Sequence, residues 1–374
     1  MTKEIKNQFF PQIVFHPGET LAEKLEEMRM SIKEFALRSE KPEKTVIAII
    51  NGDSSITPDM AMAFENVLRI PAHFWVNKQR LYDEFKAREK RNDLLKESQS
   101  WMKKFPVNDM VKKGWLPEVK TPEEKTGALL AFFSFSSFTS WENYYFNQQL
   151  KVAFRISLAH SREPYAISAW LRKGEIEAAN IQSESYSAIK LKSTLPEIKK
   201  LMVAHPEDYL EKLKELLLAA GVKLIYTPCL PKAPINGATR WLAGETPLIQ
   251  ISGRFKRNDI FWFTIFHEIG HILLHGKKDI FLESFEYPEM NIEKEKEADD
   301  FAIKVTFSKE QEAEVVSDNN LTLSKIQDYA LKFGTHPAII VGRLQHNGLI
   351  NHSVGTNLLI PIQIDQKIKS KGIV

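Results

Sequence analysis

At 374 residues the chain exceeds what one hydrophobic core usually holds, so two or three domains are expected. Its charged fraction of 26% and hydrophobic fraction of 43% are ordinary globular values, and a net charge of +3 is too small to argue by itself for nucleic acid. One cysteine, Cys229, excludes an internal disulfide framework and suits a reducing compartment as an inert thiol.

The first residues, Met1 to Phe10, mix lysines with a glutamate and show no sustained apolar region, so no signal peptide is expected. The longest apolar run, Phe261 to Leu274, is shorter than a membrane span. The expected location is the cytoplasm, with no membrane partner.

Residues 17 to about 75 read as four or five short helices. Thr20 with Glu23, and Ser31 with Glu34, each fit a capping box. Pro42 suits the first position of a helix running to Ile50, which Asn51-Gly52 stops. Thr57-Pro58 opens another helix, with Met60, Phe64, Val67 and Leu68 on its apolar side. A helix, a tight turn and a second helix ended by Asn-Gly is the layout of a helix-turn-helix reader.

A charged helix is expected over residues 76 to about 100, leading out of this region. Helices follow at 106–113, 122–135, 140–150, 163–172, 174–180 and 206–220, with turn signals at Phe105-Pro106, Leu116-Pro117 and Arg172-Lys-Gly174. The aromatic cluster from Phe132 to Phe146, with Trp170, is read as core. Val222 to Tyr226 alternates as a strand. Ala238 to Leu242 and Pro247 to Ser252 form a hairpin across Ala243-Gly-Glu-Thr246.

The run Phe261 to Leu274 contains His267-Glu268-Ile269-Gly270-His271. On a helix, residues four apart share a face, so His267 and His271 can offer two imidazole nitrogens to one zinc ion. Glu268 lies roughly 100° round the axis from His267, beside the open coordination position, where it can act as base toward an attacking water. The flanks are apolar nearly all round, so this helix should be buried. His275 continues the row one turn further and is read as exposed.

A third ligand is expected from Glu293-Lys-Glu-Lys-Glu-Ala-Asp-Asp-Phe-Ala302, whose apolar face includes Ala298, Phe301, Ala302 and Val305. Ala298 allows close approach to the first helix. Glu295 is the candidate ligand, with Glu297 as the alternative. Asp299, four residues on, can accept the distal N–H of a ligating histidine and fix its tautomer.

Together, HEIGH, the following ILLHG and EKEADDFA resemble the ImmA/IrrE family of zinc metallopeptidases. The resemblance implies zinc held by His267, His271 and Glu295, with Glu268 as catalytic base. In the amino-terminal region, His16-Pro17-Gly18-Glu19, Ile50-Asn51-Gly52, Ile56-Thr57-Pro58 and Ile70-Pro71-Ala72-His73-Phe74-Trp75 resemble the HigA-type antitoxins.

That second resemblance implies a homodimer on its own operator DNA, with residues 42 to 50 as recognition helix. Glu43, Lys44, Thr45, Ile47 and Ala48 would face outward, and Lys41 and Arg38 would lie nearby. Ile47 and Ala48 carry no hydrogen-bond donors, so a protein-binding role is the alternative for this domain. Zinc peptidases of the first kind pair a strand edge with the substrate backbone, which implies Gly237 to Trp241 as substrate edge, Ala238, Thr239 and Arg240 among them. Arg240 itself is expected at the surface.

The expected fold is mainly α with a small β-sheet (α+β). The expected domains are a HigA-like helix-turn-helix domain (1–95), a helical connecting region (96–215), an ImmA/IrrE-like core (216–310) and a carboxy-terminal helical extension (311–374). The expected function is a DNA-binding regulator whose zinc-dependent endopeptidase hydrolyses a protein substrate, a repressor or toxin-like partner. The rival is a non-enzymatic antitoxin or transcription factor that uses the zinc fold for binding or sensing.

Overall fold

A computed structural model describes residues 13–147, 163–231, 235–254, 256–277, 281–282 and 289–362. The expectations on Met1 to Phe10, on residues 148–150 of the helix at 140–150, and on the end of the carboxy-terminal extension lie outside them. The chain divides into two compact units, Met1–Glu97 and Ser98–Val374. Its class is mainly α with a small sheet, as expected.

Among the described residues the first unit holds five helices: α1 (Pro17–Glu27), α2 (Ile32–Arg38), α3 (Glu43–Ile50), α4 (Pro58–Leu68) and α5 (Ala72–Glu97). Ser31 and Thr57 cap α2 and α4 as expected, accepting from the Glu34 and Met60 amides. Thr20, in contrast, lies inside α1. That helix starts earlier because Pro17 takes its first position and His16 Nδ1 accepts from the Gly18 amide at 3.0 Å. Leu21, Phe35, Val46, Ile49, Phe64 and Trp75 close a separate core.

The second unit begins with α6 (Gln99–Met102), α7 (Val107–Lys112), α8 (Pro122–Phe133) and α9 (Phe138–Glu142), which runs into a π-turn at Asn143–Asn147. The aromatic cluster is core: Phe133, Trp141 and Trp170 are buried, and Trp141 stacks on Tyr165. Next come α10 (Pro164–Ala179), α11 (Ala188–Ala204) and α12 (Tyr209–Ala219). The turn expected at Arg172-Lys-Gly174 does not form, and α10 runs straight through it. Gly174 is there for packing, since a Cβ would stand 2.2 Å from Oε1 of buried Gln250.

Four strands follow in the spatial order β1 (Lys223–Tyr226), β3 (Thr246–Ile251), β2 (Gly237–Leu242) and β4 (Phe281–Leu282). The β2–β3 hairpin turns through Ala243 and Gly244, both at positive φ, and β1 joins β3 in parallel. Helix α13 (Asn258–Leu274) packs on this sheet, and α14 (Glu289–Thr306) packs on α13. Three more helices follow, α15 (Lys309–Val316), α16 (Leu323–Phe333) and α17 (Pro337–His346). Ile326, Ile340 and Leu344 from these last helices share one core with Phe266, Ile269, Ile249 and Leu217. Among the described residues no helix is long and apolar enough to cross a membrane.

Candidate metal centre

Helix α13 is hydrophobic almost throughout, so the sheet and α14 bury it from several sides. The burial takes the polar residues of its second half into the interior. His267 is 3% exposed, His271 1% and Glu268 0%. Polar groups held this deep need partners.

Those partners come from α14, which can lie close because both helices are small where they meet. A Cβ on Gly270 would stand only 3.2 Å from the Ala298 Cα, and Ala298 is fully buried. The approach puts Glu295 Oε2 3.2 Å from His267 Nε2, and Oε1 3.4 Å from His271 Nε2. The two Nε2 atoms face each other at 2.9 Å. One ligand atom from each of His267, His271 and Glu295 lies within 4.8 Å of the others. Burial pushes the His271 pKa down to about 4, so its ring is neutral at neutral pH. Burial alone would push the Glu295 carboxyl up, but the two imidazoles beside it outweigh burial and hold the group well below the usual range. Two neutral imidazoles and a carboxylate around one point are a donor set for a divalent metal, so the residues fit such an ion.

Of the two acidic candidates, Glu295 is therefore the residue in the cluster. Glu297 instead meets His275 Nε2 at 3.0 Å. Asp299 Oδ1 lies 2.8 Å from His267 Nδ1, where a carboxylate fixes the Nδ1–H tautomer and leaves Nε2 free to bind. The expectation that His275 is exposed is corrected. Its side chain is 3% exposed, and its Nδ1 sits 2.9 Å from His271 Nδ1. Phe281 of β4 stacks on the His271 ring, with centroids 3.8 Å apart.

Strand β2 supports the same site from behind. Thr239 Oγ1 donates to the Glu268 carbonyl at 3.2 Å, and Gly237 lies directly on the Glu268 side chain. The substrate edge expected at Ala238 and Thr239 is overturned, because β4 pairs with both residues on the side that β3 leaves open. Phe281–Leu282 is the outer strand there. Arg240 is likewise not at the surface. It is 3% exposed, and its Nη2 donates to the Leu171 carbonyl and to Gln250 Oε1. Phe281 was not among the candidate site residues, and Gly237 was expected only as the first residue of the substrate edge. Their places beside His271 and Glu268 arise only when the sheet meets α13.

In the first unit, Glu43 and Lys44 at the start of α3 are exposed and Thr45 is half-buried. Ile47 is exposed, as expected, and Ala48 half-buried. Lys41 forms an ion pair with Asp59 of α4. Glu43 also stands in the first turn of α3, where a negative charge favours the helix dipole.

The family described as IrrE N-terminal-like domain (Peptidase M78) matches residues 219–335, and the family described as helix-turn-helix matches residues 21–75. An Escherichia coli K12 protein named as an uncharacterized HTH-type transcriptional regulator, YddM, is 32% identical over 63 residues, 17% of this chain and 67% of that protein. Among solved structures, an addiction module antidote protein of the HigA family from Coxiella burnetii is 36% identical. The match covers 22% of this chain and 91% of that one, with a TM-score of 0.21. A Pseudomonas aeruginosa protein solved in complex with its operator DNA is 31% identical over 21% of this chain and 84% of that one, with a TM-score of 0.20.

Proposed function

From a chain that belongs to the helix-turn-helix family by residues 21–75 and to the IrrE N-terminal-like family by residues 219–335, we propose a DNA-binding regulator that carries a zinc-dependent endopeptidase. The observation that carries the peptidase reading is the convergence of His267, His271 and Glu295 to within 4.8 Å, on the helix that also holds buried Glu268. Zinc, when bound, would polarise a peptide carbonyl and make its water acidic. Glu268 would take the proton of the attacking water and return it to the leaving amine. Asp299 keeps His267 in its binding tautomer, and Gly237 keeps the space that the Glu268 carboxylate occupies. A site that only held metal would have no need of Glu268. The substrate would be a protein, a repressor or toxin-like partner.

The test uses Glu268→Gln and His271→Ala in the whole chain. Glu268→Gln is expected to keep zinc while hydrolysis falls by ~10²–10⁴, the usual worth of a general base. His271→Ala is expected to lose both. Equal zinc content in all three proteins would end the proposal. The partner that co-purifies with the Glu268→Gln form identifies the substrate.

Operator binding is proposed for the first unit, supported by its family and by the exposed start of α3. Replacing Lys44 and Thr45 together with alanine is expected to weaken operator binding in a gel-shift titration. Unchanged binding would favour a protein partner instead.

A further inference from the structure

We propose that His275 and Glu297 form a positioning relay that fixes the tautomer and orientation of His271. The inference rests on the reading of His267, His271 and Glu295 as a metal site, and it assigns work to two residues outside that set.

Helix α13 ends at Leu274, and His275 leaves the helical path with φ −114° and ψ 166°. Its amide still bonds the His271 carbonyl at 3.1 Å, so its ring stays beside the His271 ring instead of one turn further along the row. The two Nδ1 atoms are 2.9 Å apart and the ring centroids 5.0 Å apart. A contact of this length between two ring nitrogens with no ion between them needs one donor and one acceptor.

The acceptor can be identified from the far side of His275. Its Nε2 meets Glu297 Oε2 at 3.0 Å, and a carboxylate only accepts. Nε2 of His275 therefore carries the hydrogen, which leaves Nδ1 as the acceptor. His271 must then donate from its own Nδ1. Its Nε2 is left with a lone pair, and that atom is the one facing His267 and Glu295. Phe281 stacked at 14° on the His271 ring holds the remaining rotation.

Both histidines of the cluster are thus oriented by carboxylates of one helix. Asp299 acts on His267 directly, and Glu297 acts on His271 through His275. Glu295, from the same helix, supplies the third ligand. Metal affinity therefore depends on the seating of α14 against α13, beyond the three ligands themselves.

The experiment measures zinc affinity of the full chain by competition with a chromophoric chelator, and the visible spectrum of the cobalt(II) form. The proteins are wild type, His275→Ala, His275→Asn, Glu297→Ala and His271→Ala, each checked for helical content by circular dichroism. His275→Ala is expected to weaken zinc binding by ~10–100-fold, the usual cost of removing a hydrogen-bond partner of a ligand. His275→Asn is expected to restore most of that affinity, because its Oδ1 can accept the same hydrogen from His271. Glu297→Ala, at a side chain 62% exposed and outside the core, is expected to lower affinity and alter the cobalt(II) bands.

If His275→Ala and Glu297→Ala bind zinc within twofold of wild type while His271→Ala does not bind, the relay is refuted and the metal site stands. If His275→Asn is as weak as His275→Ala, the ring fills space and the hydrogen-bond assignment fails. If His271→Ala binds as tightly as wild type, the metal site itself is wrong. Should His275→Ala fold poorly, the exposed Glu297 variant decides alone.

Discussion

Gly237 shows how one missing methyl group shapes the site. A Cβ there would stand 2.5 Å from Glu268 Oε1 and 2.8 Å from the Thr264 Cγ2, closer than real contacts allow. Gly237→Ala is therefore expected to displace the carboxylate, destabilise the second unit by about 1–3 kcal/mol through overpacking, and abolish hydrolysis. Zinc content should stay at the wild-type level, because none of the three proposed ligands is touched. A variant with full activity and an unchanged melting temperature would show that Glu268 can relocate freely. The sequence marks Glu268 strongly, because HExxH is a spacing rule within one helix. It gives no sign that Gly237 adjoins Glu268, which lies 31 positions away and meets it only through the packing of sheet on helix.

Helices were legible where local chemistry spoke clearly, and missed where packing overrode it. Thr121 and Ser31 cap α8 and α2, and both helices stand close to their expected positions. Helix α11 was not among the expected helices, and Pro196 stands in its middle, where a proline removes a backbone hydrogen bond. Leu191, Ile198, Leu201 and Met202 hold it in the core in spite of the proline. Gly174 misled in the same direction, since it serves the contact with Gln250 and not a turn.

The pairing of α13 with α14 has the opposite character, since Ala298 was readable as a point of close approach. Ala298→Leu would force the two helices apart at the Gly270 contact, where a Cβ would already be 3.2 Å from the Ala298 Cα. The expected cost is about 1–3 kcal/mol, seen in chemical denaturation. Zinc affinity should fall with it, because Glu295 rides on α14. Undiminished affinity would argue that Glu295 reaches the site independently of helix spacing.

In the second unit as a whole, stability should depend on pH through buried histidine. Burial, helped by the nearby His336, lowers the His205 pKa from 6.5 to about 4, and His205 Nδ1 accepts from Trp262 Nε1 at 3.0 Å. The unfolded chain takes up this proton below 6.5, whereas the folded one resists it until about 4. The contribution is thus complete above pH 6.5 and is lost as pH falls from there through about 4. The melting temperature of this unit should drop over that window, and His205→Asn should reduce the drop without removing it, since burial lowers His336 as well. An identical slope in the variant would assign the loss to other groups. Asparagine suits the position because residue 205 has a positive φ of 36°.

The sequence by itself determined the class of fold, the helix-turn-helix layout and the pair of histidines with its adjacent glutamate, because all three are written in spacings of a few residues along one element. It also narrowed the third ligand to one segment. Only tertiary structure brought Glu295, and not Glu297, to the two histidines, buried Arg240, moved the outer strand to Phe281–Leu282 and drew His275 onto His271. Each of those outcomes depends on how closely two separate elements approach, a distance fixed by small residues such as Gly270 and Ala298 that no local pattern measures.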